Sequence, residues 1–153
     1  MFLASEKVSI VNNEPEPIQA LGLIQALLKD TQLPYEDLAV ATHSQFWGLG
    51  APQYYAVIGL ERYEKLGLLR SLAVAQPYRR QGLGQRLVQW VEQEAQQAGL
   101  QQLYLLTTSA TTFFEALGYE RLERNDLPPA LYSSSQVQGV CPASASILVK
   151  TLT

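Results

Sequence analysis

The chain has 153 residues, of which 47% are apolar and 16% charged, with a formal net charge of −3. Its length predicts one domain over 1–153, since single cores usually run to about 100–200 residues. The composition excludes a disordered chain and a membrane profile, and the negative balance argues against wholesale nucleic-acid binding, which needs a basic face.

One cysteine, Cys141, allows no internal disulfide, and one histidine, His43, allows no His/Cys zinc cluster, so no metal is expected. Met1 to Lys7 lacks the basic and apolar regions of a signal peptide, and no run of roughly 18 apolar residues occurs. The expectation is a cytoplasmic protein with no membrane partner.

Lys7 to Val11 reads as a first strand ending at Asn12-Asn13. Ile18, Leu21, Ile24, Gln25 and Leu28 fall at spacings of three and four and predict a helix, with Pro15 and Pro17 near its start. Pro34 to Leu38 adds a possible helical turn. Gln45–Leu49, Tyr54–Tyr63 and Leu66–Ala75 read as three strands of a meander, separated by Gly50-Ala51-Pro52 and Glu64-Lys65.

From Gly82 to Ala98 the period changes: Leu83, Leu87, Trp90, Val91 and Ala98 share a face, and Gly99 stands as the stop. Gln102–Thr107 reads as a strand, Ser109–Leu117 as a short helix capped by Ser109, and Tyr119–Glu123 as another strand. Asp126 to Gly139 is polar and loop-like, and Ala145–Thr151 returns as a last strand.

The chemistry-bearing stretch is Ser71-Leu-Ala-Val-Ala-Gln-Pro-Tyr-Arg-Arg-Gln-Gly-Leu-Gly84, a strand passing through a turn into the strongest helix. The first amides of a helix lack internal acceptors and sit at its positive dipole end, so a loop wrapped around them suits a phosphate. Gly82 and Gly84 let the backbone approach closely, while Arg79 and Arg80 add positive charge. A Walker loop is excluded because no Gly-Lys-Ser/Thr follows, and a dinucleotide fingerprint would need its third glycine at Leu87.

Arg79-Arg80-Gln81-Gly82-Leu83-Gly84 resembles the Gln/Arg-x-x-Gly-x-Gly/Ala pyrophosphate motif of the GNAT N-acetyltransferases. Phe113-Phe114-Glu115-Ala116-Leu117-Gly118-Tyr119 is similar to that family's aromatic-x-x-x-Gly-Phe/Tyr segment. Leu69-Leu-Arg-Ser-Leu-Ala-Val, Leu103-Tyr-Leu-Leu-Thr-Thr-Ser-Ala and Val140-Cys-Pro-Ala-Ser-Ala-Ser further resemble the arsenic-resistance N-acetyltransferase subgroup and the acetyltransferase domain of N-acetylglutamate synthase. The subgroup's name by itself ties nothing to arsenic.

The resemblance implies an α/β (α+β) GNAT fold, a mixed central sheet of roughly six to seven strands with about four helices, and acetyl-CoA in an opening between two central strands. It implies that Leu72, Ala73 and Val74 face the pantetheine arm, that Arg79, Arg80, Gln81, Gly82, Leu83 and Gly84 hold the pyrophosphate, and that Phe114 lies beside the cofactor. Acetyl passes directly from thioester to amine, with a strand N–H at the oxyanion contributing about 2.7–4 kcal/mol.

An alkyl amine titrates near pH ~10 and must lose its proton before it attacks. Glu61 is the first candidate base, with Glu64 and Glu115 behind it; the alternative for each is a solvated charge. Phe114 stands where many family members carry the tyrosine that protonates the leaving thiolate, so Ser109 or Tyr104 substitutes, or solvent does. Phe113 reads as core.

Arg70 or Arg121 is a candidate partner for an acceptor carboxylate, and Thr107 and Thr108 are candidates to hydrogen-bond the acceptor. Cys141 reads as a small buried hydrophobe or a thiol near that pocket, and His43 as a loop or surface residue. The expected activity is N-acetylation of a small, amino-acid-like amine. The alternatives are a catalytically silent acetyl-CoA-binding module and an acetyltransferase of proteins or peptides. An exposed strand or tail leaves a homodimer open.

Overall fold

The computed structural model of the chain describes residues 14–33, 35, 44–51, 53–140 and 144–153. The expected strand at Lys7–Val11, most of the expected turn at Pro34–Leu38, and both His43 and Cys141 lie outside the described residues.

A seven-stranded sheet is built from β1 (Glu16–Ile18), β2 (Ser44–Leu49), β3 (Ala56–Tyr63), β4 (Leu66–Val74), β5 (Gln102–Thr107), β6 (Glu120–Leu122) and β7 (Ser146–Thr151). Its order is β1-β2-β3-β4-β5-β7-β6, with β4 and β5 parallel and every other pair antiparallel. The helices among the described residues are α1 (Leu21–Asp30), α2 (Leu83–Gln97) and α3 (Thr111–Ala116), with short 3-10 turns between elements.

The meander β2-β3-β4 and the strands β5 and β7 fall where the sequence places them. The start of α1 does not. Ile18 belongs to an edge strand in which Pro17 faces Trp47, a place that tolerates a residue with no N–H to give. α1 then begins at Leu21 and buries Ile24, Leu27 and Leu28 against Phe46, Val57 and Ala73 on one face of the sheet.

α2 covers the opposite face. Leu83, Leu87, Val88, Val91 and Ala95 are its buried stripe, and each large apolar side chain so buried contributes about 1.5–3 kcal/mol over an exposed one. The stripe is rotated from the expected one: Trp90 is only half-buried and Ala98 is exposed.

The stretch after β6 departs most from expectation. It winds through 3-10 turns at Arg124–Asp126 and Pro129–Leu131 and a wider turn at Gln136–Val140. Leu127 and Leu131 are buried against Leu68, Tyr104 and Ile147, so this strap is a third layer of packing. Turns this short show no periodicity, which is why it reads as a loop in the sequence. Ser109 is likewise not the cap of α3: the N-cap position is Ala110, with no side-chain cap bond, and Thr107 Oγ1 accepts from the amides of Ser109 (3.3 Å) and Ala110 (2.9 Å) in the turn ahead of it.

Candidate active site

β4 and β5 share a register only through Leu66–Leu68 and Gln102–Tyr104, yet β4 continues to Val74 and β5 to Thr107. Past their last common pair the strands part, and a cavity of about 510 Å³ lies between them. Leu69 to Leu72 form one wall, Leu105 to Ala110 the other, and Phe114 stands at the α3 end. Lys29, Gln32, Leu33 and Tyr35 approach from the end of α1, and Gln136 and Ala145 from the strap and the start of β7.

A bulge shapes the β4 wall. Ala73 faces Val57 and Arg70 faces Gly59, so Ser71 and Leu72 together oppose Ile58 alone. Ser71 takes φ +60°, a left-handed conformation costly for a residue with a Cβ. Bulges bend the strand that carries them, which turns this part of β4 relative to β5.

From the end of β4 the chain passes through Gln76–Tyr78 into α2. The Tyr78 ring stacks on Tyr55 with centroids 4.3 Å apart, and Arg79 Nε donates to Val74 O at 2.9 Å. Both contacts brace the turn against the sheet. Gly82 is the N-cap at φ +77°, where an added Cβ would meet no atom within 4 Å, so conformation rather than space calls for glycine. A Cβ on Gly84 would lie 3.4 Å from Phe113 Cζ and 3.9 Å from Leu72 Cδ2, so the loop, α3 and the cavity wall meet there. Arg86 N bonds Gly82 O at 3.0 Å; the amides ahead of it have no acceptor inside the helix and stand at its positive end.

The structure separates the other candidate residues. Glu61 and Arg70 are buried, with Arg70 Nη1 2.9 Å from Glu61 Oε2 and side-chain exposures of 3% and 0%. Glu61 Oε1 also accepts from Tyr63 OH (2.6 Å) and Ser134 Oγ (2.7 Å). The alternative of a solvated charge does not hold for Glu61, and Arg70 Nη1 is turned to Glu61. Arg121 pairs with Glu115 at 3.0 Å on the surface, and Glu64 lies exposed in the β3–β4 turn at φ +57°. None of these three carboxylates lines the cavity.

Thr107, Thr108 and Ser109 do line it, at the end of β5, though Thr107 Oγ1 is occupied by the amides of Ser109 and Ala110 in the turn ahead of α3. Tyr104 does not; it is buried under the strap, donates to Gln102 at 3.1 Å, and burial raises its pKa. Phe114 is buried edge-on to both Phe113 (5.0 Å) and Tyr119 (5.5 Å). Phe113, expected in the core, is instead 36% exposed beside Gly84. Arg80 and Gly82 are exposed, Gln81 half-buried and Leu83 buried.

Sequence reasoning missed Lys29, Tyr63, Ser71, Ser134 and Gln136. Lys29 and Gln136 line the cavity from segments remote in sequence, and no motif marks them. Ser71 carried a signal, as one of two adjacent polar residues, with Arg70, in an otherwise apolar strand run. The Tyr63 hydroxyl is pushed up to about 12, first by burial and then by the Glu61 carboxylate it bonds. Among the described residues no group of three or more His, Cys, Asp and Glu is placed to hold a metal, and no helix is long and apolar enough to cross a membrane.

The amino-acid acetyltransferase of Serratia proteamaculans is 38% identical over 73 residues, 46% of this chain and 17% of that protein. The chain thus spans less than half the length of the curated relatives it matches. N-acetylglutamate synthase from Neisseria gonorrhoeae, solved with coenzyme A and N-acetyl-glutamate, shares the fold with a TM-score of 0.72 at 20% identity, over 93% of this chain and 36% of that one. Tetrahymena GCN5 does so with a TM-score of 0.75 at 14% identity, over 92% and 97%. The profile of the acetyltransferase (GNAT) domain matches residues 34–121, more than half of the chain. With strands that part beside a glycine-capped helix start, and with that match, the chain belongs to the GNAT acetyltransferase family.

Proposed function

We propose that the chain is an N-acetyltransferase that moves acetyl from acetyl-CoA to the amine of a small acceptor bearing a negative charge, an amino acid or a close analogue. The observation that carries this reading is the parting of β4 and β5 around a cavity that adjoins the free amides at the start of α2. The residues present fit the donor: unpaired helix amides and Arg80 suit a diphosphate, and β4 from the cavity wall at Leu72 on to Val74 offers an extended chain for the pantetheine arm. When bound, acetyl-CoA supplies a thioester carbonyl open to attack by a neutral amine.

The acceptor side argues for charge complementarity. Among the described residues lining the cavity, Lys29 and Arg70 are the cations and none is a carboxylate. With the Arg70 side chain buried on Glu61, Lys29 is the cation placed to meet an acceptor's carboxylate. Thr108 and Ser109 hold water and the amine near the donor, and Ser109 can give a proton to the leaving sulfur. Proton removal from the ammonium falls to solvent in this arrangement, so the rate against pH should rise towards the amine's own pKa.

Phe114 favours a second reading. It puts no hydroxyl at the α3 end of the cavity, which suits a protein that binds acetyl-CoA without turnover. Thiol release from acetyl-CoA, followed with amino acids, their decarboxylated amines and short peptides, tests all of this. Amino acids should outpace the matching amines. Tight binding with no thiol release from any acceptor supports the second reading, and faster turnover of peptides overturns the choice of acceptor.

A further inference from the structure

A buried relay crosses the sheet beneath the cavity. Ser134 in the strap donates to Glu61 in β3, Glu61 pairs with Arg70 in β4, and Arg70 Nε donates to Ser71 Oγ at 3.0 Å. A buried ion pair is weak evidence of stability, because apolar residues of similar size often serve as well. Its end point is more telling. Ser71 is the bulge residue at φ +60°, and it lines the cavity together with Leu72.

A left-handed conformation at a residue with a Cβ persists only where its surroundings over-determine it. The Glu61 carboxylate fixes Arg70, the Arg70 side chain has no solvent exposure, and its Nε reaches the very residue that needs fixing. The geometry points to Arg70 as a positioning residue: held by Glu61 and Ser134, it locks the Ser71 bulge and so aims the β4 main chain at the reacting carbonyl. Neither Arg70 nor Glu61 touches the acceptor in this account. The inference rests on the acetyl-transfer reading for its kinetic readout alone.

Substitution at one position separates bulge support from chemistry. Ser71→Ala loses the Oγ and keeps the strain, whereas Ser71→Gly loses the Oγ and is at ease at positive φ. The expected result is a fall in kcat of about ten- to a hundred-fold for Ser71→Ala, with Ser71→Gly about ten-fold better and KM for acetyl-CoA little moved in either. Arg70→Met should cost less in the Ser71→Gly background than in the parent. Because that variant leaves Glu61 without its cation, the paired change Glu61→Leu with Arg70→Met keeps the test open if the single change does not fold. Equal losses for Ser71→Ala and Ser71→Gly would assign the hydroxyl to the substrate, and no loss in either would make the bulge irrelevant; each overturns the proposal. If the unaltered chain transfers no acetyl, the transfer reading falls and the backbone chemical shifts of residue 71 decide the inference. Shifts that stay left-handed in a folded chain lacking Arg70 would refute it.

Discussion

The two sides of the cavity are made in different ways. The α2 side is main chain: a glycine at positive φ, a turn braced on Val74 and Tyr55, and helix amides that need only be left free. The strap side is side chain: Lys29 reaches in from α1 and Gln136 from the strap, above a buried ion pair, a tyrosine and a serine drawn from three segments. A main-chain site depends on backbone geometry at a few consecutive residues. A side-chain site depends on packing across the whole fold, so damage to the two should look different.

The largest effect should come from the strap side, as lost stability. Glu61→Ala leaves Arg70 as a buried charge without its carboxylate, which should cost about 3–5 kcal/mol in denaturant unfolding. The α2 side should show the converse. Gly82→Val forces a β-branched residue to φ +77° in open space, and acetyl-CoA affinity by calorimetry should fall roughly a hundredfold while most of the fold's stability remains. Equal loss of stability in the two variants would erase the contrast.

Lys29→Glu probes the acceptor end of the cavity. It should lower kcat/KM for amino acids about ten-fold and favour their decarboxylated amines, with acetyl-CoA affinity unchanged. A smaller effect concerns alkaline pH. Folding raises the Tyr63 pKa above its ordinary value to about 12, so the stabilisation it gives is complete below about pH 10 and is lost as the pH climbs towards 12. Tyr63→Phe should flatten that decline in part, since Tyr119, raised further by burial and by Glu92, remains. Smallest of all, Glu115→Ala breaks only the exposed pair with Arg121 and should stay within about 0.5 kcal/mol of the parent.

The same division decides what could be read in advance. The Arg79–Gly84 loop, the α2 period and the strands from Gln45 to Thr107 are local patterns, and the sequence carries them in order. β1 was misread because the apolar spacing of α1 runs back through Ile18, and only pairing with β2 decides for a strand. The strap was misread because its buried residues, Leu127 and Leu131, sit in turns with no period. Glu61 stood out as a carboxylate near the cofactor strand, but its partners Arg70, Tyr63 and Ser134 are assembled by the sheet and the strap. Their pairing is a tertiary fact with no motif.

On this reading coenzyme A lies between β4 and β5 with its diphosphate on the amides that open α2. Amide-resolved NMR of the labelled chain during titration with coenzyme A tests it most directly. The largest shifts should fall at Gln81 to Gln85 and at Leu72 to Val74, with β1 and β6 nearly still. Saturable shifts that spare Gly82 to Gly84 and gather elsewhere on the sheet would contradict it.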